Sequence, residues 1–266
     1  MKSNLLKTIC LVLLLTSCSR VPITNRKQMN LLPESELQSM ALAEYQGFLK
    51  QNPSVTGTSD AQMVKNIGTK IQSAVTQYMN QNKLGKRISG YKWEFNLVNS
   101  KDVNAWCMPG GKVVVYSGLL PVTQDETSLA IVMGHEIANA VARHGNERMS
   151  QSMLAAGIGL GLDLALSQKS TQTRSIFLTS YAVGSTLGIL AYSRTQETEA
   201  DKLGLIFAAM AGYDPQKAIS FWQRMAAQGG GKPPEIISTH PSDETRIKNL
   251  RAFMPQALKY YKGKKS

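Results

Sequence analysis

Val64, Ile67, Ile71, Val75 and Tyr78 recur at three- and four-residue intervals, which gathers apolar side chains on one helix face. Ser59-x-x-Gln62 just ahead of them reads as the capping box that opens this helix, and residues 35–50 predict another before it. Between Gly90 and Gly118 the period shortens. Trp93, Phe95 and Leu97 alternate with polar neighbours, and Val113-Val114-Val115-Tyr116 is a β-branched run behind Pro109-Gly110-Gly111. Two strands joined by a turn-rich connection are expected there. Thr123-x-x-Glu126 predicts the cap of a third helix, striped by Leu129, Val132, Met133, Ala140 and Val141, with Gly145 suited to its C′ position. The rest predicts helix, broken at Asp214-Pro215, Gly229-Gly230-Gly231 and Pro255. The fold class that follows is mostly α with a small β-sheet (α+β), one domain over 34–254, with no internal repeat.

The N-terminus changes the picture of where this domain works. Lys2 and Lys7 precede an apolar run from Ile9 to Leu15, too short to span a bilayer, so residues 1–17 are expected to be an export signal. Leu15-Thr16-Ser17-Cys18 resembles a bacterial lipobox, which implies cleavage before Cys18 and acylation of its thiol. Ser19 in place of Asp favours the outer membrane, periplasmic face, and residues 18–33 are expected to be a polar tether. Cys10 leaves with the signal and Cys18 is acylated, so Cys107 is alone and the fold rests on its core without a disulfide. The formal charge of +12 does not indicate nucleic acid, because the basic residues are dispersed and the chain is exported. Only 259–265 form a basic cluster, and residues 255–266 are expected to be a solvated tail. The apolar segment from Met153 to Leu166 contains Asp163 and falls short of the roughly 20 residues of a span. It is expected to be a buried helix, or with 176–191 a mobile hairpin over a cleft.

The chemistry centres on His135-Glu136-Ile137-Ala138-Asn139. In H-E-x-x-H, residues four apart share a helix face, so two imidazoles grip one metal while the Glu handles the proton of the attacking water. Asn139 stands where the second His belongs. Downstream, Glu197 and Asp201 share one face of another helix, and a carboxylate there can complete a three-ligand site while a second acid orients a ligand imidazole. Taken alone, Glu197, Glu199 and Asp201 read better as a solvated acidic face. His144 lies nine residues after His135, on the far side of an ideal helix, and is expected at the helix C-terminus as a cation facing the dipole. His240 is then the one free imidazole, and a site of His135, Glu197 and His240 is geometrically conceivable.

Met133-Gly134-His135-Glu136-Ile137-Ala138 with Ala140-Val141-Ala142-Arg143-His144, Ser193-Arg194 with Glu197-x-x-Ala200-Asp201, and Thr239-His240-Pro241-Ser242 with Arg246-Ile247 resemble the HtpX/BepA/LoiP-type zinc endopeptidases, relatives of the CAAX prenyl endopeptidase. Asn104-Ala105-Trp106 and Pro109-Gly110-Gly111 match that family's pattern upstream. The resemblance implies a single-domain, gluzincin-like zincin fold whose edge strand holds an extended peptide. It implies zinc on His135 and Glu197, with Asn139 a weak neutral substitute at the third position. Glu136 becomes the general base and acid, Asp201 the acid behind the ligand histidine, and Arg246 or His240 the support for developing charge. The function it implies is a lipid-anchored metalloendopeptidase acting on unfolded or misassembled envelope polypeptides, impaired by Asn139. An inactive relative that binds polypeptides as a chaperone or scaffold beside the outer-membrane assembly machinery is the alternative.

Overall fold

The computed structural model describes residues 18–156, 171–181, 194–227 and 244–263. Helices surround one three-stranded sheet, the α+β class expected from the pattern. The segment expected as a tether is folded instead: β1 (Cys18–Arg20) pairs antiparallel with β2 (Lys27–Met29), and Val21 between them is buried. α1 (Glu34–Gln51) follows, then α2 (Ser59–Gln81), whose buried face carries the predicted Val64, Ile67, Ile71, Val75 and Tyr78. The cap of α2 is Thr58, one residue before the predicted one. Thr58 has the extended backbone a cap needs, and its hydroxyl accepts the Ala61 N–H.

The sheet holds three strands where two were expected: β3 (Glu94–Val98), β4 (Ala105–Met108) and β5 (Lys112–Tyr116), in the order β3-β5-β4. β5 runs parallel to β3 and antiparallel to β4, with Gly110 and Gly111 at φ 82° and 80° turning the chain between them. All of β4 is buried, so Ala105-Trp106-Cys107-Met108 shows no alternation to reveal it. β4 is an outer strand with no further strand partner among the described residues, and the motif helix packs against it.

That helix, α4 (Glu126–Ala142), follows the short α3 (Leu120–Thr123). Its cap is Asp125 and not Thr123, because the left-handed Gln124 ends α3 and the Asp125 carboxylate then accepts the Ser128 N–H at 2.7 Å. Every residue from Ser128 to Ala142 is buried. α4 ends before Gly145, because Arg143 adopts the left-handed conformation at φ 64° and α5 (His144–Ala155) starts at once. Gly145 lies inside α5, where a Cβ would run into the Tyr181 ring.

α6 (Thr171–Ser180), α7 (Arg194–Met210), α8 (Lys217–Ala227) and α9 (Glu244–Leu258) complete the described elements. α9 passes through Pro255, where a break was predicted, one turn from its end and with Met254 and Ala257 buried. The predicted tail is therefore helical to Leu258, and Tyr260 packs edge-on against Tyr78 with ring centroids 6.2 Å apart. Among the described residues no helix is long and apolar enough to cross a membrane. Gly229-Gly230-Gly231 and most of the predicted 153–166 and 176–191 hairpin lie outside the described residues.

Candidate metal centre

Two glycines bring the centre together. A Cβ on Gly134 would lie 2.9 Å from the Gly204 carbonyl oxygen, and one on Gly204 would lie 2.8 Å from the His135 backbone nitrogen. α4 and α7 therefore meet backbone to backbone. Asp201 and Glu197, one and two turns before Gly204, reach His135 across that contact.

His135 is 3% exposed, and its Nδ1 lies 2.9 Å from Asp201 Oδ1. A carboxylate only accepts, so Nδ1 carries the proton and Nε2 presents its lone pair. Nε2 lies 3.5 Å from Glu197 Oε2. Burial alone would lower the His135 imidazole, but the Glu197 charge and the Asp201 hydrogen bond and charge outweigh it and raise its pKa. Arg246, also buried, donates from Nε to Asp201 Oδ2 at 2.9 Å and from Nη2 to Oδ1 at 2.6 Å. Its guanidinium lies over the Trp222 ring, 3.3 Å from the centroid. These bonds place Arg246 behind Asp201 as a clamp on the carboxylate that orients His135, with Nη1 3.4 Å from Glu197 Oε2. Glu136 is buried beside His135; burial raises the Cys107 thiol well above its usual pKa, and the nearby Glu136 charge adds to that shift. Glu136 thus sits next to the outer strand β4.

Asn139 is buried, with its Oδ1 2.8 Å from His144 Nδ1, while its buried Nδ2 has no hydrogen-bond partner among the described residues. His144 follows directly on the end of α4, as expected, but burial disfavours the cation expected there. The break at Arg143 folds it back under α4, where it is fully buried and burial lowers its pKa. Its Nε2 lies 3.1 Å from Glu199 Oε2. The acidic stretch of α7 is no solvated face, since Glu197, Glu199 and Asp201 are all buried.

What surrounds Glu199 comes from distant parts of the chain. Thr24 Oγ1 donates to Glu199 Oε1 at 2.6 Å, and Arg26 donates from Nε to Oε1 at 2.9 Å and from Nη2 to Oε2 at 3.0 Å. Arg26 also donates to both oxygens of Glu147, at 2.7 and 2.8 Å. Burial would raise the Glu199 carboxyl, but the bonds from His144, Arg26 and Thr24 prevail and bring it down to about 2. These pairs are separated by 121 and 173 positions along the chain, so no local pattern announces them.

Two donors about 2.1 Å from one tetrahedral zinc stand about 3.4 Å apart. The 3.5 Å between His135 Nε2 and Glu197 Oε2 fits such a shared cation. The third position is an amide with its oxygen engaged by His144, so the described residues hold no cluster of three His, Cys, Asp or Glu around a metal. His240 and the Cys18 side chain lie outside the described residues.

A buried His135–Glu197 pair with the Glu136 carboxylate beside it, held between two abutting helices next to a sheet edge, fits the framework of a metallopeptidase. Residues 68–254 match Peptidase family M48, and the chain belongs to that family. The mitochondrial metalloendopeptidase OMA1 of Schizosaccharomyces pombe is 38% identical over 172 residues, 64% of this chain and 49% of that protein. The mitochondrial metalloendopeptidase OMA1 of Bos taurus is 33% identical over 248 residues, 90% of this chain and 46% of its own length. The beta-barrel assembly-enhancing protease of Escherichia coli is 31% identical over 188 residues, 66% of this chain and 38% of that protein. The chain spans about half, or less, of the length of these curated relatives.

Proposed function

We propose that this chain is a zinc metalloendopeptidase, anchored by a lipid on Cys18 to the periplasmic face of the outer membrane, that cleaves unfolded or misassembled envelope polypeptides at a rate limited by Asn139. The observation that carries the catalytic reading is the 3.5 Å approach of His135 Nε2 to Glu197 Oε2, with Asp201 fixing the ring behind it. Those two groups would hold the metal, with Asn139 next to them. Zinc supplies a Lewis acid that polarises the scissile carbonyl and makes water acidic enough to attack near neutral pH. Glu136 takes the proton from the attacking water and returns it to the leaving amine. Asp201, clamped by Arg246, keeps the proton on His135 Nδ1, while Arg246 Nη1 or His240 serves the developing charge. β4 is the strand with which an extended substrate would pair. The location rests on Lys2, Lys7, the apolar run and Leu15-Thr16-Ser17-Cys18, and the link to barrel assembly rests on the bacterial relative's name.

The test is zinc content and casein cleavage by the full chain beside Asn139→His. The expected result is at least about tenfold tighter zinc binding and faster, chelator-sensitive cleavage in the variant; equal activity would remove Asn139 from the metal site. Cys18→Ser should move the protein from the membrane fraction to the soluble periplasm. The engagement of the Asn139 oxygen by His144 favours a second reading, a binding protein without turnover. It predicts casein capture without cleavage at saturating zinc.

A further inference from the structure

The basic residues are dispersed along the chain, but the fold gathers several of them beside the start of β1. Residues 18–33 contain Arg20, Arg26 and Lys27 and no acid, and residues 82–92 contain Lys83, Lys86, Arg87 and Lys92 and no acid. Arg87 lies in the short 3-10 turn Gly85–Ile88. It donates from Nη1 to Arg20 O and from Nη2 to Gln28 Oε1, both at 3.1 Å, and so draws the second segment against the first. The acids nearest to these segments in sequence already have cations of their own: Glu34 lies 3.3 Å from Arg143, and Glu94 lies 2.6 Å from Lys112. Arg26 is matched by Glu147 and Glu199. That leaves Arg20, Lys27, Lys83, Lys86 and Lys92, all exposed, with no carboxylate partner among the described residues.

Tyr91 and Trp93 flank Lys92, both partly exposed, with ring centroids 5.2 Å apart. Aromatic rings with one wet edge, set among ammonium groups, are the side chains that settle at a membrane–water interface, the rings level with the headgroups and the cations on the phosphates. Cys18 is the first residue of β1, so an acyl chain on its thiol would enter a bilayer with no spacer between the lipid and this part of the domain. We propose that Arg20, Lys27, Lys83, Lys86 and Lys92, with Tyr91 and Trp93, form a docking face for anionic phospholipid headgroups, which lays the domain against the bilayer. Each cation held near an anionic surface strengthens binding about fivefold, so a few of them suffice to choose one orientation over the others. The orientation rests on the lipid-anchor reading of Cys18. The attraction of the face to anionic headgroups is independent of it.

The test presents the full chain to vesicles of phosphatidylcholine alone and of phosphatidylcholine mixed with phosphatidylglycerol, and reads binding by cosedimentation. An acylated N-terminus enters both kinds of vesicle, so the difference between them reads charge. Binding to the mixed vesicles is expected to be at least about tenfold tighter and to weaken with added salt. Lys27→Gln, Lys83→Gln and Lys86→Gln together, with the fold checked by circular dichroism, are expected to bring the two kinds of vesicle level. Lys65→Gln, Lys217→Gln and Lys248→Gln together remove the same charge from exposed positions of α2, α8 and α9 and are expected to keep the preference. Trp106 and Trp222 are both 1% exposed, so a blue shift of the tryptophan emission on the mixed vesicles reports Trp93. Equal binding of the parent to both vesicles, equal losses in the two triple variants, or an unshifted emission in the bound state overturns the proposal. A preference for polyglutamate over the mixed vesicles would assign the face to an acidic polypeptide and overturn it too. A parent chain that ignores phosphatidylcholine yet binds the mixed vesicles removes the lipid anchor and leaves the basic face standing.

Discussion

At the scale of single residues, the chemistry depends on which nitrogen of each buried imidazole carries its proton. Asp201 fixes this for His135, and Arg246 fixes Asp201 with two short hydrogen bonds. Asp201→Asn presents either an oxygen or an NH₂ group to Nδ1 and releases the tautomer. Zinc affinity measured by chelator competition is expected to fall 10–100-fold, the usual effect of losing a group that orients a ligand. Glu199 sets a pH limit on the same region. Its carboxyl is held at about 2, below its ordinary 4.5, so the folded state gains from the ionised form. That gain, roughly 3 kcal/mol, is complete above pH 4.5 and disappears as pH falls through 2. Acid unfolding followed by tryptophan fluorescence should show this loss, and Glu199→Gln should be less stable at pH 7 with a flatter pH dependence between 4.5 and 2.

At the scale of elements, the glycine contact between α4 and α7 decides whether the donors meet. Gly204→Ala inserts a methyl group where only 2.8 Å separates its Cβ from the His135 nitrogen. Overpacking of this kind costs about 1–3 kcal/mol, and moving α7 outward separates Glu197 from His135. A melting temperature lowered by several degrees together with weaker zinc binding is the expected outcome. An unaltered affinity would show that the helix contact does not set the site. The motif helix and α2 were legible in the sequence because each is announced by spacing within one element, whereas the pairing of His135 with Glu197 and Asp201, on two different helices, was expected from the family resemblance. Strand β4 was not, since burial of Ala105–Met108 removes the alternation that marks a half-exposed strand. Caps shifted by one or two residues where a neighbouring polar side chain had the better backbone: Thr58 over Ser59, and Asp125 over Thr123. His144 follows directly on the end of α4, as expected, but the left-handed Arg143 turns it into the interior, where burial lowers its pKa instead of leaving it a cation on the dipole.

At the scale of the whole molecule, the N-terminal segment is built into the domain from which a tether would hang. Arg87 ties it down further, donating to Arg20 O and Gln28 Oε1 of the hairpin and to the Val141 and Ala142 carbonyls that end α4. The chain that follows Cys18 therefore contacts the C-terminal end of α4, one turn beyond Asn139, in two ways: its last carbonyls through Arg87, and His144 through Glu199. None of this was legible beforehand, because a polar stretch containing Pro22 carries no periodicity, and its partners lie 59 to 175 residues away. Arg26→Ala would leave Glu147 and Glu199 buried without their common cation, which costs about 3 kcal/mol. Removing residues 18–33 would add the loss of Val21 from the core and of the carbonyl acceptors of Arg87. Urea unfolding is expected to place both variants well below the parent, with the deletion lower than Arg26→Ala. A free tether would leave all three midpoints equal, and that result would detach the hairpin from the stability of the metal centre.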